Sequence, residues 1–167
     1  MFSSIIFPIV LILATVACAL VAGLLFAFAI VTMPGIKRLN DGEFIRAFQV
    51  MDGVIQNNHP LFMLVWLGSV AALLLAAVLG FGQLDLVGTG ILLTAAALYI
   101  LGVQLPTGLI NVPLNNQLQT LNIDKLNSAA QAAARLNFEP RWNHWNRIRT
   151  IMATLVTAML ILLLYLL

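Results

Sequence analysis

Apolar residues in this chain come in long unbroken runs, not in alternation. Four runs stand out, at residues 5–31, 61–82, 86–110 and 151–167. A bilayer-crossing helix needs about 20 apolar residues, so each run predicts one transmembrane helix. The first run is longer than needed and can tilt. The fourth is short, and the polar residues before it are expected to carry its helix into the interface. Met1 to Ser4 bring no positive charge and the apolar stretch after them is long. The first run therefore reads as a span, not as a cleavable signal peptide.

Between the runs the pattern turns amphipathic. After Met33-Pro34-Gly35, a turn signal, Phe44, Phe48, Met51 and Ile55 recur at helical spacing within Asn40–Asn57. Arg46, Gln49, Asp52 and Gln56 are polar. This predicts an amphipathic helix on the membrane or across the bundle mouth. Asn40 with Glu43 three residues on resembles a capping box. Further along, Ser128 and Gln131 predict a cap for a short helix through Leu136. Pro140 fits the first turn of a separate helix leading into the fourth span. Gly102 and Pro106 predict a local kink in the third span. The fold class that follows is all-α: an integral membrane four-helix bundle, read as one membrane domain over residues 1–167, with an amphipathic helix in the first cytoplasmic loop.

Charge sets the topology. The chain is 62% hydrophobic and 8% charged, against about a quarter charged in soluble domains. All 8 Lys and Arg lie in the first and third loops. The positive-inside rule places those loops in the cytoplasm and both termini outside, as expected of a bacterial inner (plasma) membrane protein. A net charge of +2 gives no argument for nucleic acid as a partner; the partner implied by composition is the lipid bilayer. No charged residue falls within an apolar run, and Gln104 is the clearest polar residue in one, which argues against an ion pathway. Cys18 reads as a small buried hydrophobe.

Small residues form two stripes at i+4 spacing, Thr15-Ala19-Gly23-Ala27 and Gly68-Ala72-Ala76-Gly80. Such stripes let helices approach closely in lipid. They serve packing within one bundle or, alternatively, between subunits of a homo-oligomer.

Three polar clusters fall at the cytoplasmic ends of spans: Gln56 to Pro60, Asn111 to Asn116, and Arg141 to Arg149. Topology lets them converge. In the last, Trp142, Trp145, Asn146 and Arg149 share a helical arc of roughly 100°, while His144 and Arg147 point roughly the other way. Each feature has a plain structural alternative. The tryptophans and Arg149 suit an interfacial belt with a snorkelling arginine. Asn111 and Asn115 suit a helix end beside a proline. His59 and His144 suit polar interfacial positions.

Asn111-Val112-Pro113-Leu114-Asn115-Asn116, followed by Trp142, Trp145-Asn146 and Arg149-Thr150, resembles the anthrone-oxygenase-like family of small four-helix membrane proteins. A first-loop helix leading into Asn57-Asn58-His59-Pro60 fits the same pattern, and the resemblance covers nearly the whole chain. The family often has histidine directly after the Trp-Asn pair; here Arg147 stands there, and the histidine is His144. Fungal members oxidise anthrones with dioxygen and no added cofactor. The resemblance implies a cofactor-independent monooxygenase, an oxidoreductase acting on an aromatic, polyketide-like or other hydrophobic small molecule. In such a site Trp142 and Trp145 would wall a flat slot. Arg149, Asn146, Asn111 and Asn115 would donate to an oxyanion, Asn58 would help bind substrate, and His59 would be the base, its ordinary pKa lying near neutrality.

Two other classes stand beside this one. The first is a non-catalytic membrane protein binding a lipid, quinone or hydrophobic ligand. The second is a haem or metal protein using His59 and His144, although neither has local ligand spacing. No cofactor and no metal is the expectation, and no phosphate loop, dinucleotide fingerprint or serine elbow occurs.

Overall fold

A computed structural model describes residues 2–167, with side chains from Ile5 onward. Among them are four helices long and apolar enough to cross a membrane: α1 (Ile5–Ile36), α3 (Pro60–Gly80), α4 (Leu86–Gln119) and α5 (Ser128–Leu166). The amphipathic α2 (Asp41–Gln56) lies between α1 and α3. Its capping box forms as the sequence implies, with Asn40 Oδ1 accepting from the Glu43 N–H at 2.9 Å and Glu43 Oε2 accepting from the Asn40 N–H at 3.3 Å.

Prolines shape the long helices without ending them. α1 contains a π-turn at Phe28–Thr32, and α4 contains two, at Ile100–Gln104 and Thr107–Asn111. Each is closed by the N–H of the residue just before a proline: Met33 to Phe28, Leu105 to Ile100, and Val112 to Thr107. Proline has no N–H, and its ring crowds the carbonyl four residues back. The residue ahead of it takes the wider i−5 bond instead. Hence Met33-Pro34-Gly35 is helical, and the chain turns only after Ile36. The kink expected near Pro106 takes the form of π-turns on either side of that residue. α4 also runs well past the apolar limit at residue 110, to Gln119.

The third loop differs from its expected form. Ser128–Leu166 is one helix with Pro140 inside it, not two. Its cap is Asn127, whose Oδ1 accepts from the Ala130 N–H at 2.9 Å. Gln131 donates instead to the carbonyls of Ile123 and Leu126. Pro140 removes only one backbone bond, and Phe138 and Trp142 anchor the helix on either side of it.

Two cores stack end to end. The larger fills the spans, where α1 buries Phe7, Leu11, Ala14, Cys18, Val21 and Leu25 at alternating four- and three-residue steps. α5 answers with Ala153, Val156, Leu160 and Leu163. Such spacing is the seam of helices packed at a shallow angle. The small-residue stripes take part unevenly: Ala76 is fully buried and a Cβ at Gly80 would lie 3.0 Å from Phe7 and Leu92, whereas a side chain at Gly23 or Gly68 would meet nothing within 4 Å. A closer approach lies outside the stripes at Gly102, where an added Cβ would lie 2.7 Å from Met152 Cγ. This contact presses α4 onto α5.

The smaller core joins α2 to the loop ends of α1, α4 and α5 through Met33, Phe44, Ile45, Phe48, Leu114, Leu118, Phe138 and Trp142. α2 thus lies across the bundle mouth, the second of its two expected placements. Arg135 pins it there. Its Nη1 meets Asp41 at 3.1 Å and its Nε meets Glu139 at 2.7 Å. It donates as well to the carbonyls of Lys37 and Leu39, and its guanidinium lies 4.3 Å from the Phe44 ring centroid. Arg135→Ala would release the α1–α2 turn from α5. We expect a loss of about 2 kcal/mol, the scale of charge-assisted bonds in a shielded place, read as a lower thermal midpoint in detergent.

Candidate functional site

A cavity of about 140 Å³ lies where the two cores meet. Its apolar wall comes from Leu24, Leu25 and Phe28 of α1, Phe48 and Ile55 of α2, and Phe62 and Trp66 of α3. Trp142 of α5 is packed edge-on by Phe48 at 5.5 Å between centroids. The π-turns matter here. Phe28 opens the one in α1, and Thr107 and Asn111 begin and end the second one in α4. All three line the cavity. The wider turn rotates the residues after it, so local proline chemistry helps to aim the site.

One side of the cavity is cationic. Arg149 is 4% exposed. Its Nη1 donates to Thr107 Oγ1 at 2.9 Å and its Nη2 to Asn146 Oδ1 at 3.0 Å. Asn146 donates in turn to the Leu25 carbonyl at 3.1 Å, which ties the guanidinium to α1. The guanidinium carbon sits 5.7 Å from the Trp142 ring centroid. Among the described residues, Arg149 forms no ion pair with a carboxylate, and its Nε–H has no acceptor. A buried cation held only by neutral dipoles is costly unless something anionic completes it.

The cavity also holds a carboxylate. Asp52, 3% exposed, accepts from Asn115 at 2.7 Å, Gln119 at 3.0 Å and Gln56 at 3.1 Å. Asn115 uses its other end to accept from Trp142 Nε1 at 2.8 Å. One amide therefore positions both the carboxylate and the tryptophan. Asn111 donates to the Trp142 carbonyl at 3.3 Å, while its buried Oδ1 is left without a donor.

The sequence reading is thus partly reassembled. Asn111, Asn115, Trp142, Asn146 and Arg149 converge on one cavity. Trp145 does not line it; it is half-buried, with His144 edge-on at 5.9 Å. Trp145 and Asn146 mark opposite edges of the arc they share, and the cavity lies on the Asn146 side. Asn58 and His59 are exposed in the turn before α3, outside the cavity, and Asn58 has a φ of 55°. His144 is exposed as well. No group of three or more His, Cys, Asp or Glu among the described residues is placed to hold a metal ion. Charge is buried in the bundle after all, on Arg149, because α5 is helical and packed well before its apolar run begins.

Asp52 and Thr107 were not singled out from sequence. A signal for Asp52 existed: it lies seven residues after Ile45 and four after Phe48, both buried, and so shares their face.

A family model described as anthrone oxygenase matches residues 51–159. The chain belongs to the anthrone oxygenase family. No curated protein and no solved structure matches it. In this anthrone oxygenase family member every polar residue lining the cavity, from Asp52 to Arg149, falls inside the matched region. α1, outside that region, contributes only apolar wall. Asn115→Ala would leave both Asp52 and the Trp142 indole one partner short. We expect about 1–3 kcal/mol lower stability, the cost of orphaned buried groups, measured by thermal unfolding in detergent alongside Asn115→Asp, which keeps the acceptor for Trp142.

Proposed function

We propose that this protein is a cofactor-independent oxygenase acting on an acidic aromatic carbonyl compound of the anthrone kind. The observation that carries the reading is an unpaired buried guanidinium, Arg149, sharing an aromatic cavity with a buried carboxylate, Asp52. Asp52 takes the proton from the carbon beside the carbonyl, in the place of the exposed His59. Arg149 binds the enolate oxygen that results, with its Nε–H free to do so. Asn146 and Thr107 are positioning residues that hold the guanidinium. The pairing of a base with a preorganised cation in a water-poor cavity is what enolate formation requires.

The rest of the chemistry belongs to the substrate. The enolate gives one electron to dioxygen, and the radical and superoxide combine at the same carbon as a peroxide. Loss of water from that peroxide, its second C–H proton included, leaves a new carbonyl. In sum, one CH₂ and one O₂ become one C=O and one H₂O.

We place the basic end of the bundle, with its α2 cover, in the cytoplasm of a bacterial cell. The support is the confinement of all 8 Lys and Arg to the loops at that end. A non-catalytic binder is the second reading, favoured by one observation. Two unpaired polar atoms of residues lining the cavity, Arg149 Nε and Asn111 Oδ1, would already complete a ligand site without any turnover.

Oxygen uptake with an anthrone separates the two. The purified protein is expected to speed uptake over autoxidation. Arg149→Met should lower the rate by about 10²–10³-fold and Asp52→Asn by about 10²–10⁴-fold, both remaining folded, while His59→Ala keeps the wild-type rate. Uptake no faster than autoxidation, with anthrones and related aromatic ketones alike, would leave the binding reading. A cysteine placed at Gln83 should react with a membrane-impermeant thiol reagent on intact cells, and one placed at Lys125 should not.

A further inference from the structure

We infer that the ligand of this cavity is an amphiphile held half inside the protein. A single hydroxylated aromatic ring occupies the cavity, and the apolar remainder lies in a gap between α3 and α4 that opens to the lipid. The inference deepens the functional reading above by naming the form its substrate takes, and it requires binding alone, not turnover.

The first observation is size. A cavity of about 140 Å³ matches the hydrocarbon cavities of about 150 Å³ that take one benzene ring. A larger molecule must extend beyond it. The second is the direction in which it can extend. α3 packs along α1, and it meets α4 through the Ser69–Tyr99 hydroxyl pair at 2.6 Å and the hairpin beyond. Past Tyr99, the π-turn segments of α4 pack on α5, and its last turns on α2 and α5. The half of α3 that carries Phe62 and Trp66 is therefore separated from the half of α4 that carries Thr107 and Val112, and both halves line the cavity. Val112 at the mouth is 41% exposed. Phe62 and Trp66 stack at 5.5 Å and 20°, which gives the gap one flat aromatic side.

The third observation closes the alternative route. Toward the loops the cavity is roofed by α2, where Phe48 and Asp52 are 1% and 3% exposed. The Asp52 carboxylate is fastened there by three amides. The fourth concerns what the inner end of the ligand carries. Arg149 Nε–H lacks an acceptor and Asn111 Oδ1 lacks a donor, and both residues line the cavity. A phenolic or enolic hydroxyl supplies both functions, accepting from Arg149 and donating to Asn111.

The test uses the full chain in lipid nanodiscs, free of oxygen so that no turnover enters. Trp145→Phe leaves Trp66 and Trp142, both in the cavity wall, as the only tryptophans. Their fluorescence reports binding of decylhydroquinone, with ligand expressed as mole fraction in the lipid so that partitioning cancels. Saturable quenching is expected. Val112→Phe, which fills the mouth, should raise the apparent Kd about tenfold. Val50→Phe, on the exposed back of α2, should not change it. Arg149→Met should weaken binding similarly, and the methyl ether lacking both hydroxyls should bind at least tenfold more weakly than the hydroquinone. No saturable quenching in the parent protein would overturn the inference. So would a Val112→Phe protein that binds as the parent does while Ile55→Phe, under the α2 roof, does not. Saturable binding without any oxygen uptake in the earlier assay would sink the oxygenase reading and leave this one standing.

Discussion

In an apolar surrounding every backbone N–H and C=O must find its partner within the protein. That constraint governs the rest of this structure. A helix that meets a proline there cannot simply stop, so α1 and α4 continue across Pro34, Pro106 and Pro113 by widening the preceding turn. Each widened turn rotates the face of the helix beyond it. In α4 the rotation carries Thr107 and Asn111 to the wall of the cavity, where they meet Phe28 at the start of the α1 π-turn. It also lets α4 lean onto α5 at Gly102 while its far half departs from α3.

The same economy of partners organises the polar residues. Few charges are buried, and each is handled by neutral side chains shared between two tasks. Asn115 serves Asp52 and Trp142, and Asn146 serves the Leu25 carbonyl and Arg149. Asp52 ends fully supplied with donors, while Arg149 and Asn111 each keep one buried atom unused. A site with an anchored carboxylate and an incomplete cation is polarised before any ligand arrives. α2 makes this arrangement possible, since it brings Asp52 in from the loop side and shields it from water. The helix is itself fixed by its capping box at one end and by Arg135 across its first turn.

Membership of the anthrone oxygenase family and this geometry bear on different levels. The family match establishes kinship. The cavity adds which side chains face one another, with the Asp52 carboxylate buried inside the bundle and His59 exposed. Fold and family alone would not distinguish an enzyme from a binder.

Much of the architecture was legible without coordinates, because it rests on composition and short-range pattern. Apolar run length determined four spans, helical periodicity determined α2, and the Asn40–Glu43 spacing determined its cap. The motifs at 111–116 and 142–150 pointed to five residues that do share the cavity. What the sequence could not determine was register between distant segments. Asp52 looked like the polar face of a surface helix, and only the docking of α2 on α4 and α5 turned it inward. His59 looked well placed because it sits at a span end beside other polar residues. Yet the turn into α3 leaves it in solvent, since adjacency along the chain does not set the direction of a side chain. Trp145 and Asn146 are neighbours in sequence and differ by about 100° around the helix. Which of the two met the cavity was decided by where α1, α3 and α4 stood, and that is a property of packing.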